Sequence, residues 1–284
     1  MKMLVLLHVF YHEQVPWFLD KLRNIQGVRW DLLVTWSAPN LETEALIRAF
    51  KPDVRFFQVE NVGYDVWPFI SALRAIDIDA YEFILKLHTK NSNEVRNRIN
   101  GLNFCGFRWR DLLVDALLGS KEQFCRVWEK MTTTPRAGLA CNAALLCKPS
   151  SGLPEDTEPL FEEMKRIGLH TDDLRFCGGT MFLARMAPFH FLRDLDLKAD
   201  DFSSYSASHS CGSMAHIYER IISFCITAQG YRIVPVKSHP AAYWKVRIRG
   251  VTKPILTWIF ALERRGPQRQ KYMVILGNSI RLKG

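Results

Sequence analysis

The chain lacks any apolar run of the ~20 residues that a membrane span needs, it lacks a CxxC pair, and it has a single acid among its last forty residues. The first absence predicts no transmembrane helix. The second bears on seven cysteines, at 105, 125, 141, 147, 177, 211 and 225. An odd, scattered set indicates neither a disulfide framework nor a zinc site, and free thiols in a reducing cytoplasm fit better. The opening residues 1–8 are interrupted too soon by His8 and His12 for a secretory signal and read as a first buried strand. The third absence makes the charge lopsided. Residues 245–284 carry ten Lys/Arg against Glu263 alone, and since the whole chain is also +9, residues 1–244 sum to zero. A neutral body with a cationic arm implies an anionic partner for the arm. Nucleic acid is not expected, because the basic residues are not interleaved with aromatics in a recognisable motif.

What is present is an alternation. Apolar strands are predicted at Val5–Phe10, Trp30–Trp36, Val54–Val59 and Phe83–Leu87, with helical spacing between them at Pro16–Ile25, Glu42–Phe50 and Trp67–Ile76. Such a succession means βαβ units and a mostly parallel sheet flanked by helices. Further helices are expected at Phe107–Leu118, Phe124–Met131 and Met214–Gln229, and strands at Ala137–Leu146, Thr180–Ala184 and Tyr231–Val236. The proline-rich stretch 148–159 reads as a loop and Leu195–Gly212 as a mobile one. No repeat or long linker appears, so one domain over 1–244 is expected, followed by a basic extension over 245–284.

Open parallel sheets bind ligands beyond the carboxyl ends of their strands. The loops His8–Tyr11, Trp36-Ser37, Asn61–Asp65 and His88–Lys90 all fall there. The third is a glycine loop with a carboxylate, Asn61-Val62-Gly63-Tyr64-Asp65, and the fourth closes an apolar strand with Lys86, His88 and Lys90. That pair suits an anion with a polar head, and a nucleotide sugar is the natural candidate.

The motifs Asn61-x-Gly63-x-Asp65-x-x-Pro68-Phe69, Lys86-Leu87-His88-Thr89-Lys90, Trp109-Arg110 with Leu112-Leu113, Gly179-Thr180-Met181-Phe182 and His216-x-x-Glu219-Arg220 follow one another in a familiar order. In them the chain resembles the rhamnan synthesis protein F family, glycosyltransferases of bacterial surface polysaccharide assembly. Tyr64 departs from the pattern, which would place an arginine there. The resemblance implies a GT-A-like (Rossmann-like) α/β fold. It also implies transfer of a sugar, often L-rhamnose from a dTDP donor, to a growing glycan or lipid-linked glycan.

Many GT-A enzymes hold a divalent metal on the diphosphate with an Asp-x-Asp pair. Here the corresponding strand end carries Lys86, His88 and Lys90, whose charge would serve instead, so no metal or other cofactor is predicted to be required. Glu219, on a late helix, is the expected base of an inverting transfer, with His88 also in the catalytic group. Arg220 would orient Glu219 or meet phosphate. Asn61 and Gly63 shape the donor loop. Asp65 either caps the following helix or bonds ribose or sugar hydroxyls. His8 and Tyr11 are placed to meet the base, or else belong to the core. Gly179 and Thr180 lie near the acceptor, or form a tight turn before a strand. His216 shares a helix face with Glu219 and touches the acceptor or simply packs. Trp109 and Arg110 are read as packing residues.

The apolar stretch Val251–Leu262, flanked by Lys/Arg, suits a helix lying in an anionic lipid surface. The reading is therefore a cytoplasmic transferase, peripheral at the inner face of the bacterial cytoplasmic membrane. A non-catalytic nucleotide-sugar or glycan-binding subunit of an assembly complex is the alternative.

Overall fold

The computed structural model describes residues 1–99, 102–149, 154–203, 213–238, 260–265 and 270–282, with helical positions at 241, 244, 245, 248, 252, 255 and 259. Seven strands form the central sheet: β1 (Lys2–Val9), β2 (Arg29–Trp36), β3 (Arg55–Gln58), β4 (Phe83–His88), β7 (Ala137–Asn142), β10 (Phe182–Arg185) and β11 (Arg232–Val236). Between them lie two small antiparallel pairs, β5 (Asn93–Ile99) with β6 (Leu102–Gly106) and β8 (Leu146–Cys147) with β9 (Phe176–Cys177). The helices are α1 (Val15–Leu22), α2 (Leu41–Phe50), α3 (Val66–Arg74), α4 (Arg108–Leu118), α5 (Lys121–Thr133), α6 (Pro154–Arg166), α7 (His190–Asp194) and α8 (Met214–Ala228).

The sheet order is β11-β7-β10-β4-β1-β2-β3. β1 pairs in parallel with both β2 and β4, so the chain order reverses at β1 and a crevice opens between the loops after β1 and β4. Only β10 runs the other way, antiparallel to β4 and β7. The expected α/β layout, a mostly parallel sheet flanked by helices, is borne out. β1, β4 and β7 are buried almost throughout, as strands covered on both faces must be, and they centre one continuous core.

Local chemistry sets the helix starts. Asn40 accepts from the Thr43 N–H at 2.9 Å and Ser120 from the Gln123 N–H at 3.1 Å, each followed by acids in the first turn, so orphan donors are satisfied and the dipole is complemented. Pro16 opens α1, where its missing N–H costs little.

Four expectations are corrected. Residues 148–159 are not all loop, since α6 begins at Pro154 and carries Pro159 within it. Ala137–Leu146 is not one strand: β7 stops at Asn142, whose side chain accepts from the Ala144 N–H and starts a 3₁₀ turn. Residues 199–202 form a 3₁₀ turn, while 204–212, the rest of the expected mobile loop, lie outside the described residues. The apolar stretch 251–262 is not helical to its end, because Phe260–Arg265 is β12, paired with β13 (Gln270–Ile275), which pairs in turn with β14 (Asn278–Arg281). The six described cysteines are all free; Cys211 is outside the described residues.

Gly63 is both conformationally and sterically required. Its φ is +65°, and a Cβ there would lie 2.9 Å from Trp67 Cβ and 3.0 Å from Phe202 Cβ. Gly27 has a similar φ of +72° with nothing within 4 Å. Gly63→Ala is therefore expected to cost about 2–4 kcal/mol in urea unfolding, against about 1 kcal/mol for Gly27→Ala. Equal losses would show that the steric contact is relieved.

Candidate functional site

At the carboxyl edge of the sheet β4 ends in Lys86-Leu87-His88, and the turn entering β10 faces it because β10 is reversed; Phe182 pairs with Lys86. Lys86 is 2% exposed. Its Nζ donates to Asp65 Oδ2 at 2.5 Å, to the Thr180 carbonyl at 3.0 Å and to Thr180 Oγ1 at 3.1 Å. The Thr180 hydroxyl in turn donates to Asp65 Oδ2. Three ammonium protons meet three acceptors, so the charge expected to face a diphosphate is engaged within the protein. Lys86 fastens three pieces of chain instead.

Two of those pieces are strained. Tyr64 has φ +55°, and Thr180, a β-branched residue, has φ +44° next to Gly179 at +90°. Left-handed backbone at non-glycine residues costs about 1–3 kcal/mol each and persists where surroundings over-determine it. The Asp65–Lys86–Thr180 knot supplies that restraint, along with a second clamp: the Gly179 N–H donates to Glu219 Oε1 at 2.7 Å. Asp65 makes no capping bond to α3, which removes that reading. Its described contacts all fall on Oδ2, including His88 Nδ1 at 3.4 Å, so that oxygen is an internal anchor.

Burial alone would raise the Asp65 carboxyl, but His88, Lys86 and Lys90 beside it outweigh that and hold it well below the carboxylate range. Burial drives His88 well below its ordinary value, with Asp65 pulling the other way. Among the described residues neither of its buried nitrogens has a hydrogen-bond partner. His8 is likewise pushed down by burial, to about 4; its Nδ1 lies 3.0 Å from Thr35 Oγ1. That settles His8 as a core residue under the crevice, not a contact for a base. Tyr11 is half-buried, and its N–H and that of Phe10 both donate to Thr89 Oγ1, at 3.0 and 2.9 Å.

Lys90 is the cation that remains at the cleft. Its Nζ sits 3.6 Å from the Trp109 ring centroid. Burial lowers its pKa while the Asp65 and Glu219 carboxylates pull the other way, so Lys90 and Glu219 share one electrostatic environment. Its backbone is held on both sides by Gln14, whose Nε2 donates to Lys90 O at 2.8 Å and whose Oε1 accepts from Lys90 N at 3.2 Å. Arg110, stacked on Trp17 at 3.8 Å, donates to the same Oε1 at 3.4 Å.

His216 accompanies Glu219 on α8, with Nδ1 2.6 Å from Ser213 Oγ and its ring 6.1 Å from that of Tyr64. Arg220 is buried, donates to the His216 carbonyl at 3.1 Å and lies over Phe176. Asn61 is exposed on the wall of an open groove of about 790 Å³ between β3 and α3, which Ser37, Gln58, Trp67 and Ser71 also line. The structure thus brings Asp65, Lys86, His88, Lys90, Gly179, Thr180 and Glu219 together, with His216 at the rim, and leaves His8 and Arg220 inside.

Trp109 and Gln14 were not singled out for the site. The signal for Trp109 was the glycine opposite it: a Cβ on Gly179 would lie 2.9 Å from Trp109 Nε1 and 2.8 Å from Leu113 Cδ1. Gln14 left no signal, since its partner is 76 residues away. Among the described residues no group of three His, Cys, Asp or Glu is arranged to hold a metal ion.

A family model described as rhamnan synthesis protein F matches residues 1–231. Two curated relatives, each the uncharacterized protein WxcX of a Xanthomonas campestris pv. campestris strain, are 27% identical over 237 residues. The alignment takes in 82% of this chain and 32% of theirs, so the chain spans about a third of their length. Among solved structures, Staphylococcus aureus TarS 1–349 aligns at 13% identity over 90% of this chain and 66% of its own, with a TM-score of 0.44. The mannosyltransferase PcManGT of Pyrobaculum calidifontis, in complex with GDP-Man and Mn2+, aligns at 14% over 83% and 54%, with a TM-score of 0.38.

The two depressed histidines fix a pH dependence. Between about pH 6.5 and 4 the unfolded chain binds a proton at His8 that the folded one does not, so stability is full above 6.5 and falls as the pH drops, by up to ~1.4 kcal/mol per unit for each such group. Unfolding free energies of the wild type should fall through this window, and His8→Asn should flatten the slope by about one proton. An unchanged slope would mean that His8 is protonated in the folded state.

Proposed function

This chain belongs to the rhamnan synthesis protein F family, and from that premise and the geometry of the cleft we propose that it transfers a sugar from a nucleoside diphosphate donor to a glycan hydroxyl. The observation that carries this reading is the gathering of Lys90 and Glu219 around Trp109: the Lys90 ammonium lies 3.6 Å from the centre of that ring, and Glu219 holds the N–H of Gly179, which abuts the same ring. Gln14 braces the Lys90 backbone, and Glu219 is tied to the left-handed Gly179-Thr180 turn. Lys90 meets the diphosphate and favours its departure as negative charge develops on it. Glu219 takes the proton from the acceptor hydroxyl while that oxygen attacks the anomeric carbon and the bond to the diphosphate breaks. The face of attack opposite the leaving group makes the transfer inverting.

The nucleoside fits the groove beside Asn61. Trp67, Phe57 and Val59 give it an apolar wall, and the buried Ser37 and Ser71 hydroxyls have no partner among the described residues. Trp109, under Lys90, positions that ammonium at the cleft. A donor of L-rhamnose on dTDP and an acceptor in a surface polysaccharide or lipid-linked glycan are the family's chemistry and are proposed here on that ground. A diphosphate neutralised by Lys90 needs no divalent ion.

One observation favours the second reading, a non-catalytic binding subunit: Glu219 already holds the Gly179 N–H, a structural duty that could be its whole role. Glu219→Gln separates the two, because the amide oxygen can still accept from Gly179 while the base is gone. Turnover, followed by release of nucleoside diphosphate, should fall by a factor on the order of 10² or more, with the donor-induced rise in melting temperature kept. Full activity of the variant removes Glu219 as base, and a wild type that binds donor without turning it over supports the subunit.

Activity in excess EDTA should match that without it. Complete loss restored by manganese or magnesium would overturn the metal-free assignment.

A further inference from the structure

Among the described residues, eight of the fifteen exposed large apolar side chains lie between 244 and 280: Trp244, Ile248, Ile255, Ile259, Phe260, Ile275, Leu276 and Ile280. They are not scattered. Positions 244, 248, 255 and 259 are helical, and helical positions four apart, as 244 and 248 or 255 and 259 are, share a face. Ile259 and Phe260 are then joined to the β13–β14 turn: the Leu276 N–H donates to the Ile259 carbonyl at 3.0 Å and Phe260 pairs with Ile275. Exposed apolar residues at helical positions are therefore followed by the apolar tip of a hairpin, with Ile248 59% and Leu276 55% exposed.

The same segment carries the entire net charge. Ten cations stand against one acid over 245–284, and the described Lys245, Lys271 and Arg281 are exposed. Apolar surface of this extent on a monomer marks an interaction site, and the charge selects the partner. The body of the chain is neutral and offers no opposite field. A second copy carries the same +9 and repels. An anionic bilayer supplies both halves, hydrocarbon at headgroup depth for the isoleucines and tryptophan and phosphate for the lysines and arginines.

We propose that the surface formed by Trp244, Ile248, Ile255, Ile259, Phe260 and Leu276 docks on anionic lipid. It lies on it without crossing, since no helix among the described residues is long and apolar enough to span. The proposal does not depend on the transferase reading.

The test uses the full chain in co-sedimentation with vesicles of phosphatidylcholine and phosphatidylglycerol at 3:1, and with phosphatidylcholine alone. The chain should partition at least fivefold more strongly onto the anionic vesicles, and 0.5 M NaCl should weaken that binding. Ile248→Ser with Leu276→Ser should lower partitioning tenfold or more, as should Lys245→Glu with Lys271→Glu. All four positions are exposed, so circular dichroism melts should stay within a few degrees of wild type. Equal binding to both vesicle types, no binding, or binding unaffected by either pair would overturn the proposal. So would a dimer, seen by light scattering, that the serine pair dissociates while vesicle binding is absent.

Discussion

The buried contact of Lys86 with Asp65 and Thr180 holds the cleft together. Placing an ammonium and a carboxylate in the interior costs several kcal/mol each, and their attraction offsets this only when the remaining hydrogen bonds are satisfied. Here they are: every proton on the Lys86 nitrogen has an acceptor, and the Thr180 hydroxyl gives a further bond to Asp65. The cluster joins the glycine loop before α3, the end of β4 and the turn before β10, segments 21 to 115 residues apart. It is a weak source of net stability and a strong source of geometry. Two left-handed residues, Tyr64 and Thr180, would relax without it.

That arrangement explains a division of labour among the three polar groups at the end of β4. Alternation along a strand sends successive side chains to opposite faces, so Lys86 and His88 share a face and reach the same Asp65. Lys90 lies beyond the strand, where Gln14 grips its backbone and Trp109 its ammonium. One cation is tied to a carboxylate and a threonine, the other to an aromatic ring. Between them sits His88, with both nitrogens buried and unbonded among the described residues.

Much of this was legible in the residues. β1 to β4 and the helices between them were readable because buried parallel strands are continuous apolar runs and amphipathic helices repeat on 3.6. The convergence of Asp65, Lys86, His88, Lys90 and Glu219 followed from the strand-end rule and the family pattern. What escaped is tertiary. α6 was hidden because Pro154 and Pro159 read as breakers, although the first opens the helix. The pairing of Lys86 with Thr180 crosses 94 positions, and no spacing announces it, so the engagement of the Lys86 ammonium within the protein left no signal in the sequence. His8 was assigned by its place at a strand end and Arg220 by motif position, and it is burial that shows both inside.

The reversal of β10 has a consequence for how this fold can vary. A parallel strand would present the loop leaving it at the cleft. β10 presents the turn that enters it, Gly178–Met181, and sends its outgoing chain to the opposite end of the sheet, where the Met186 N–H meets the Glu82 carbonyl. Insertions after β10 therefore begin at the far end from Thr180, so evolution is free to lengthen that connection and remodel what covers the crevice while the knot beneath it stays in register.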